Sequence, residues 1–388
     1  MATPTLTMIP SGYKAEKVYS VLPTNGDGDF TFDRTTTATR VNKNGLIEQV
    51  STDVPRLDYS DSSCPSLLLE PTSTNLVIGS AEGNYGGGQS SATNTISPDG
   101  TNNAFIPTPD YVYKRYEEII PAGTYSNGQK LTYSWYRKRI STPTGVSVNG
   151  DLNIKSLVNL TELETSNATQ IESNINGFDR FQAVVEIIDG SLESIFRAYF
   201  GDVVGVGNSS VAYFGHQFEA LRYATSYIPT TSGTESRSAE TFSNDFSSQP
   251  TVANTNTVVL KFIPMGFSTD FYELLRFSDA DGTNEIALEG FQTNNYDVYG
   301  SGLVPGGMNA GSLSLDAGSI NTISFSYSGT SLRFSHNGST IAINTPTGNL
   351  PTITKVLNNA GGLSPIKILD LRVYNDFKTQ EELNTLTI

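Results

Sequence analysis

Two histidines, His216 and His336, are the only side chains in this sequence that ordinarily titrate near neutrality. Acid–base chemistry at pH 7 would have to run through them or through carboxylates with displaced pKa values. His216 lies in an alternating run and His336 beside an Asn-Gly turn, so both read as ordinary strand and turn residues. A nucleophilic triad finds no support, because no G-x-S-x-G elbow occurs. Glycoside hydrolysis needs two carboxylates facing each other across a sugar. Glu162/Glu164 and Glu285/Glu289 come closest, and neither pair has an aspartate between its members. The residue types therefore argue against an enzyme, with a glycoside hydrolase as the alternative.

Oxygen ligands and exposed rings offer more. Asp279, Asp281 and Glu285 lie in a Gly-containing acidic segment that could hold calcium, although the EF-hand spacing is absent. Asn25-Gly26-Asp27-Gly28-Asp29 has the same composition. No other cofactor is implied. Asn294-Asn295-Tyr296-Asp297-Val298-Tyr299 reads as a polar loop, in which Tyr296 and Tyr299 could stack on sugar faces while Asn294 and Asn295 bind hydroxyls. The plainer reading is that these tyrosines cap a core with their hydroxyls wet. Trp135, beside Tyr133 in an aromatic run, is expected in the core. Gly201 to Gly207 lacks the Lys and Ser/Thr of a phosphate loop and reads as a turn.

Composition bounds the partners. Charged residues make up only 16% of the 388, below the roughly 25% of an average soluble protein, so Ser, Thr, Asn and Gly must carry solubility. A formal net charge of −15 opposes binding to nucleic acid or to an anionic membrane surface. The single cysteine, Cys64, excludes an intrachain disulfide and any multi-cysteine metal site. Met1 to Lys17 shows no secretory signal, and no run reaches the 18 to 20 apolar residues, roughly, of a membrane span.

The elements that must position these residues are strands. Leu131–Tyr136, Phe181–Ile187, Val258/Leu260/Phe262 and Ile323/Phe325/Tyr327 are short apolar or alternating runs between turn residues, the pattern of β-sandwiches. Asn44-Gly45 and Asn337-Gly338 suit type I′ hairpins. One helix is expected at the C-terminus, where Thr379-Gln380-Glu381-Glu382 is a capping box and Leu383 and Leu386 follow at helical spacing. No repeat of 20 to 50 residues is visible, which argues against a β-solenoid. The fold class is all-β with very little helix: a turn-rich N-terminal region (1–78), a first β-sandwich of jelly-roll type (79–240), a polar linker (241–256) and a second jelly roll (257–388).

Three segments carry a resemblance. "RTTTATRVNKNGLIE" (34–48), "VPRLDY" (54–59) and "LLLEPTSTNL" (67–76), followed by "TSYIPT" (225–230), resemble an ordered set found in tailed-bacteriophage virion proteins. There a hairpin segment precedes a jelly roll that closes in the last motif. The terminal "IKILDLRVYNDFKTQEELNTL" and the hairpin "SLRFSHNG" are similar to the end of laminin-G-like and concanavalin-A-like jelly rolls. The resemblance implies a structural protein of the virion surface, made in the bacterial host cytoplasm, as head fibre, decoration or tail fibre. The region 1–78 would then attach to other virion proteins, the assembly would be a homo-oligomer with a trimer favoured, and the second of the two displayed rolls would bind cell-surface glycans weakly. Two alternatives stay open, a virion-associated glycan depolymerase and a capsid cement protein with no ligand.

Overall fold

The computed structural model describes residues 3–80, 91–106, 115–140, 153–162, 168–199, 211–245, 255–266, 272–279, 285–290, 295–301, 313–329, 331–342, 355–357 and 364–388. Among them nearly all regular structure is antiparallel β, and Gln380–Leu386 is the one α-helix. The chain forms two compact units, but not the consecutive blocks that composition suggested. One unit is built from Met1–Thr37, Val50–Thr72 and Ser238–Ile388, the other from Ala38–Gln49 and Ser73–Arg237. The chain therefore passes between units four times.

The larger unit pairs an eight-stranded with a nine-stranded sheet. At the centre of the first, Thr255–Pro264 lies between Asn321–Ser328 and Ile366–Tyr374. Val258, Leu260, Phe262, Ile323, Phe325 and Tyr327 all enter one core, as their alternation requires. Residues 1–78 are not a structurally separate region. Leu6–Met8 and Ser66–Leu69 both pair with Ile366–Tyr374, and Leu67 and Leu69 are fully buried. Phe30–Asp33 pairs with Thr241–Asp245, so that part of the expected linker is a strand, with Phe242 stacked on Phe30 at 4.3 Å. The reason is hydrophobic. Without these N-terminal strands the apolar faces of the C-terminal strands would lie open to water.

Local chemistry fixes the start of this unit's last element and one of its hairpin turns as expected. Thr379 caps the helix, accepting from the Glu382 backbone at 3.2 Å, while the Glu382 carboxylate accepts from the Thr379 N–H at 2.7 Å. Leu383 is buried. In the hairpin between Ser331–His336 and Ser339–Ile341, Asn337 (φ 46°) and Gly338 (φ 78°) both take the positive φ of a type I′ turn.

The other unit packs a seven-stranded sheet on a three-stranded one. Lys130–Arg139 runs between Phe178–Ile187 and Val211–Glu219 in the larger sheet. Arg115–Ile120, Ser194–Tyr199 and Asn153–Val158 make the smaller. Tyr133, Trp135, Phe181, Phe196 and Phe218 fill the space between them. A second apolar cluster, with Tyr136, Phe214 and Tyr227, covers the opposite face of the larger sheet. Val41 and Ile47 reach it from the hairpin Ala38–Val41/Ile47–Val50. That hairpin forms as expected but with a different turn. Only Gly45 has positive φ, because the Asn42 side chain accepts from the Asn44 and Leu46 backbones and closes a longer loop.

Candidate functional site

The site begins with parity in the strand Lys130–Arg139. Leu131, Tyr133 and Trp135 face the space between the two sheets, and by strand alternation Arg137 and Arg139 continue the same face. An apolar sheet face thus turns cationic at one end. Arg137 and Arg139 line a cleft of about 290 Å³ together with Lys138, Gly177, Asp179 and Val211. Its neighbours are set by register: Asp179 lies opposite Arg137, and Val211 opposite Arg139. Among the described residues, Arg137, Arg139 and Asp179 share this face, while Lys138 alternates to the other face at the cleft's rim.

Rings hold two of the cations. The Arg137 guanidinium sits 3.9 Å from the centre of the Phe181 ring, and the Lys138 ammonium 5.5 Å from that of Phe178. Burial pulls the Arg137 pKa below its ordinary value, and the charge of Arg139 pulls the same way, while Tyr213 and Asp179 oppose them. The guanidinium stays charged at neutral pH. Gly177 has φ +80°, and a Cβ there would come 3.0 Å from Lys138 Nζ. The bare backbone leaves that ammonium its place.

On the neighbouring strand a bulge decides which side chains look inward. Ser134 pairs with Gln217 but Tyr136 with Phe214, so Gly215 and His216 together face Trp135. Gly215 has φ +62°, the left-handed conformation of a G1 bulge. Before the bulge Tyr213 faces the inter-sheet core; after it Phe218 does, and Phe214 lies in the other cluster. His216 is fully buried, with Nδ1 2.7 Å from the Tyr133 hydroxyl. Burial depresses its pKa to about 3, so it is neutral at physiological pH and has no access to a substrate. His336 is half-buried and bonded through Nε2 to Asn321 at 2.9 Å.

Among the described residues, those singled out from sequence are not gathered into one site. Tyr296 and Tyr299 lie in the strand Asn295–Ser301, not in a loop. Tyr296 pairs with Gly290 and Tyr299 with Ala287, and a separation of three along a strand assigns the two positions to opposite faces. Asn295 opens that strand, and Asn294 lies outside the described residues. The paired strand, not periodicity, overrules the loop reading, because polar residues on a sheet near its edge mimic loop composition. Asp281 also lies outside the described residues, as do Glu164 and the Gly201-to-Gly207 run. Glu285 is 2.9 Å from Arg276, which also binds the buried Glu273. Desolvation raises the Glu285 pKa, with Arg276 opposing and Glu273 and Asp279 adding to the rise. Among the described residues no three His, Cys, Asp or Glu side chains converge in a metal-binding arrangement. Asp29 accepts instead from the Ser20 N–H at 2.9 Å and lies 3.6 Å from Lys17.

The motif residues do architectural work inside each unit. In the larger one, Arg34 and Arg56 flank the fully buried Glu240. Arg34 reaches one oxygen at 3.2 Å, and Arg56 touches both at 2.7 and 2.8 Å. Glu70 pairs with Arg56 at 2.7 Å and donates its own N–H to Glu240 at 2.8 Å. Burial alone would lower the Arg56 pKa, but Glu240 and Glu70 hold it above its ordinary value. In the other unit the "TSYIPT" segment is clamped by side chains. Gln217 donates to the Thr225 and Ser226 carbonyls and accepts from the Ile228 N–H. Asn75 donates to the Ile228 carbonyl, Thr39 to that of Tyr227, and Arg237 to the Thr225 and Ser226 hydroxyls. These polar residues look functional in a sequence and are buried structural partners in the fold.

Neither a protein-family model nor a curated protein matches the chain. Solved structures do. The CBM40 of Ruminococcus gnavus IT-sialidase, bound to α2,3-sialyllactose, is 14% identical, with 35% of this chain and 84% of that one covered and a TM-score of 0.27. Trypanosoma rangeli sialidase is 15% identical over 34% of this chain and 22% of its own, with a TM-score of 0.29. A pentraxin of Limulus polyphemus is 10% identical over 34% and 70%, at 0.26. At these scores neither ligand nor activity transfers to this chain.

Proposed function

We propose that this chain is a non-catalytic structural protein displayed on a tailed-phage particle, and that it binds glycans through the cleft beside Arg137. The cleft carries the reading. It combines fixed cations, a hydrogen-bond-accepting carboxylate and a small concave volume at the end of a rigid sheet, the composition of a binding site rather than of a hydrolytic one. The order of the motif segments in the sequence supports the virion assignment. A homotrimer would multiply a weak site into useful avidity on a surface carrying many sugars.

The test is incubation of the purified protein with bacterial surface polysaccharide. Retention of the protein with unchanged chain length is the expected result. Shortened chains would replace this reading by a depolymerase. No retention, together with loss of particle stability when the protein is removed, would replace it by a cement protein.

A further inference from the structure

We infer that Asn25 is a site of spontaneous covalent modification, losing its side-chain amide through attack by the Gly26 nitrogen. The chemistry needs only water and is independent of what the cleft binds.

An asparagine followed by glycine can close on itself, because glycine has no Cβ to obstruct the approach of its nitrogen. In a folded chain two further conditions matter. The glycine N–H must not be held in a hydrogen bond, and a donor on the asparagine Oδ1 must polarise the carbonyl under attack. Among the described residues Asn-Gly occurs at 25–26, 44–45, 127–128, 176–177 and 337–338. Gly45 donates its N–H to the Asn42 carbonyl at 2.9 Å and Gly128 to that of Ile187 at 2.8 Å. Gly338 donates to the Thr387 hydroxyl at 2.9 Å. The Asn176 side chain donates to the Ser97 carbonyl at 2.8 Å, and among the described residues no donor reaches its Oδ1.

Asn25 meets both conditions. Its Oδ1 accepts from the Asp27 N–H at 3.1 Å, and among the described residues the Gly26 N–H has no acceptor. Nothing crowds that nitrogen either, since a Cβ on Gly26 would meet only Asp29 Oδ2, at 3.5 Å. Attack on Asn25 Cγ closes a succinimide ring, and the Gly26 proton and the side-chain NH2 leave together as ammonia. Holding the two groups within one residue removes the entropic cost of a collision. Asn25 is exposed, so water reaches the ring and opens it at either carbonyl, giving aspartate or isoaspartate. Nδ2 of Asn25 donates to the Asp27 carboxylate at 2.7 Å. The aspartate product replaces that bond by two like charges, which loosens the turn.

The experiment is incubation of the full chain in mildly alkaline buffer, followed by residue-resolved peptide mass spectrometry with Asn25→Asp as the standard. Asn25 is expected to convert at least about fivefold faster than Asn44, Asn127 or Asn337, whose glycine amides must first give up a hydrogen bond. In denaturant the rates should converge. Lys43→Gly supplies the converse. Asn42 already accepts from the Asn44 and Leu46 backbones through Oδ1, and the exposed Lys43 follows it; with glycine there, Asn42 should become labile. Equal rates in the folded chain would overturn the inference, as would a preference for Asn25 that persists in denaturant. Aspartate formed without isoaspartate would rule out the ring. A stable Asn42 in Lys43→Gly would show that the two conditions do not suffice, and would remove the ground for singling out Asn25.

Discussion

His216 and Glu240 show how two buried polar residues differ once their surroundings are known. His216 is held neutral, with its pKa moved from 6.5 to about 3 by desolvation. Unfolding lets it take up a proton, so its contribution to stability is complete above about pH 6.5 and is lost as the pH falls toward 3. By pH 4.5 the loss amounts to about 3 kcal/mol. Urea midpoints measured from pH 7 to 4.5 should therefore fall less steeply for His216→Gln than for the wild type; parallel slopes would refute this account. Glu240 is shared by two buried arginines. Removing one member of such a network leaves the others buried without compensation, at a cost of about 3–5 kcal/mol. Glu240→Ala should lower stability by that much in denaturant unfolding, and a loss below 1 kcal/mol or so would mean that water already screens the network. Neither role is visible in the sequence. A histidine in a strand and a glutamate after a Ser-rich run carry no mark of which side chains will surround them.

Local rules were legible at the level of elements wherever the chain determines its own neighbours. The Asn337-Gly338 turn and the Thr379 capping box depend on residues at most four apart, and both form as their spacing requires. Thr379→Ala should cost about 1 kcal/mol, read as a lower urea midpoint; an unchanged midpoint would show that packing of Leu383 alone holds the helix. The bulge at Gly215 was not legible, because nothing in an alternating string says where alternation slips by one. Phe214 and Phe218 have the spacing of one face and occupy two clusters. Gly215 makes the slip feasible. Its φ of +62° disfavours any side chain, and a Cβ would lie 3.0 Å from the Tyr136 ring. Gly215→Ala should destabilise by about 1–2 kcal/mol. It should also perturb the Trp135 fluorescence, since the bulge faces that residue. Tyr296 and Tyr299 failed the other way: their polar surroundings suggested a loop, and pairing with Glu285–Gly290 made a strand.

For the whole molecule, the class of fold follows from period-two patterning, whereas the division of the chain does not. Composition places boundaries after residue 78 and across the polar stretch 241–256, and gives no sign of the crossings after Thr37 and Gln49. Those crossings depend on which strand completes which sheet, a choice made by long-range hydrophobic burial rather than by turn residues. The consequence can be tested by expressing residues 257–388 alone, the stretch that sequence patterning presents as a complete jelly roll. In the fold it lacks Leu6–Met8 and Ser66–Leu69 from one sheet, and Phe30–Asp33 and Thr241–Asp245 from the other. Leu6, Met8, Leu67, Leu69, Phe30, Phe32 and Phe242 would all be absent from a core in which each is essentially fully buried. At about 1.5–3 kcal/mol for each large apolar side chain, the loss is as large as the total stability of an ordinary domain, about 5–15 kcal/mol. The fragment should therefore give collapsed amide dispersion and bind hydrophobic dye, while the full chain gives a sharp spectrum. A fragment with native-like dispersion and a cooperative melt would show instead that the C-terminal strands carry a core of their own.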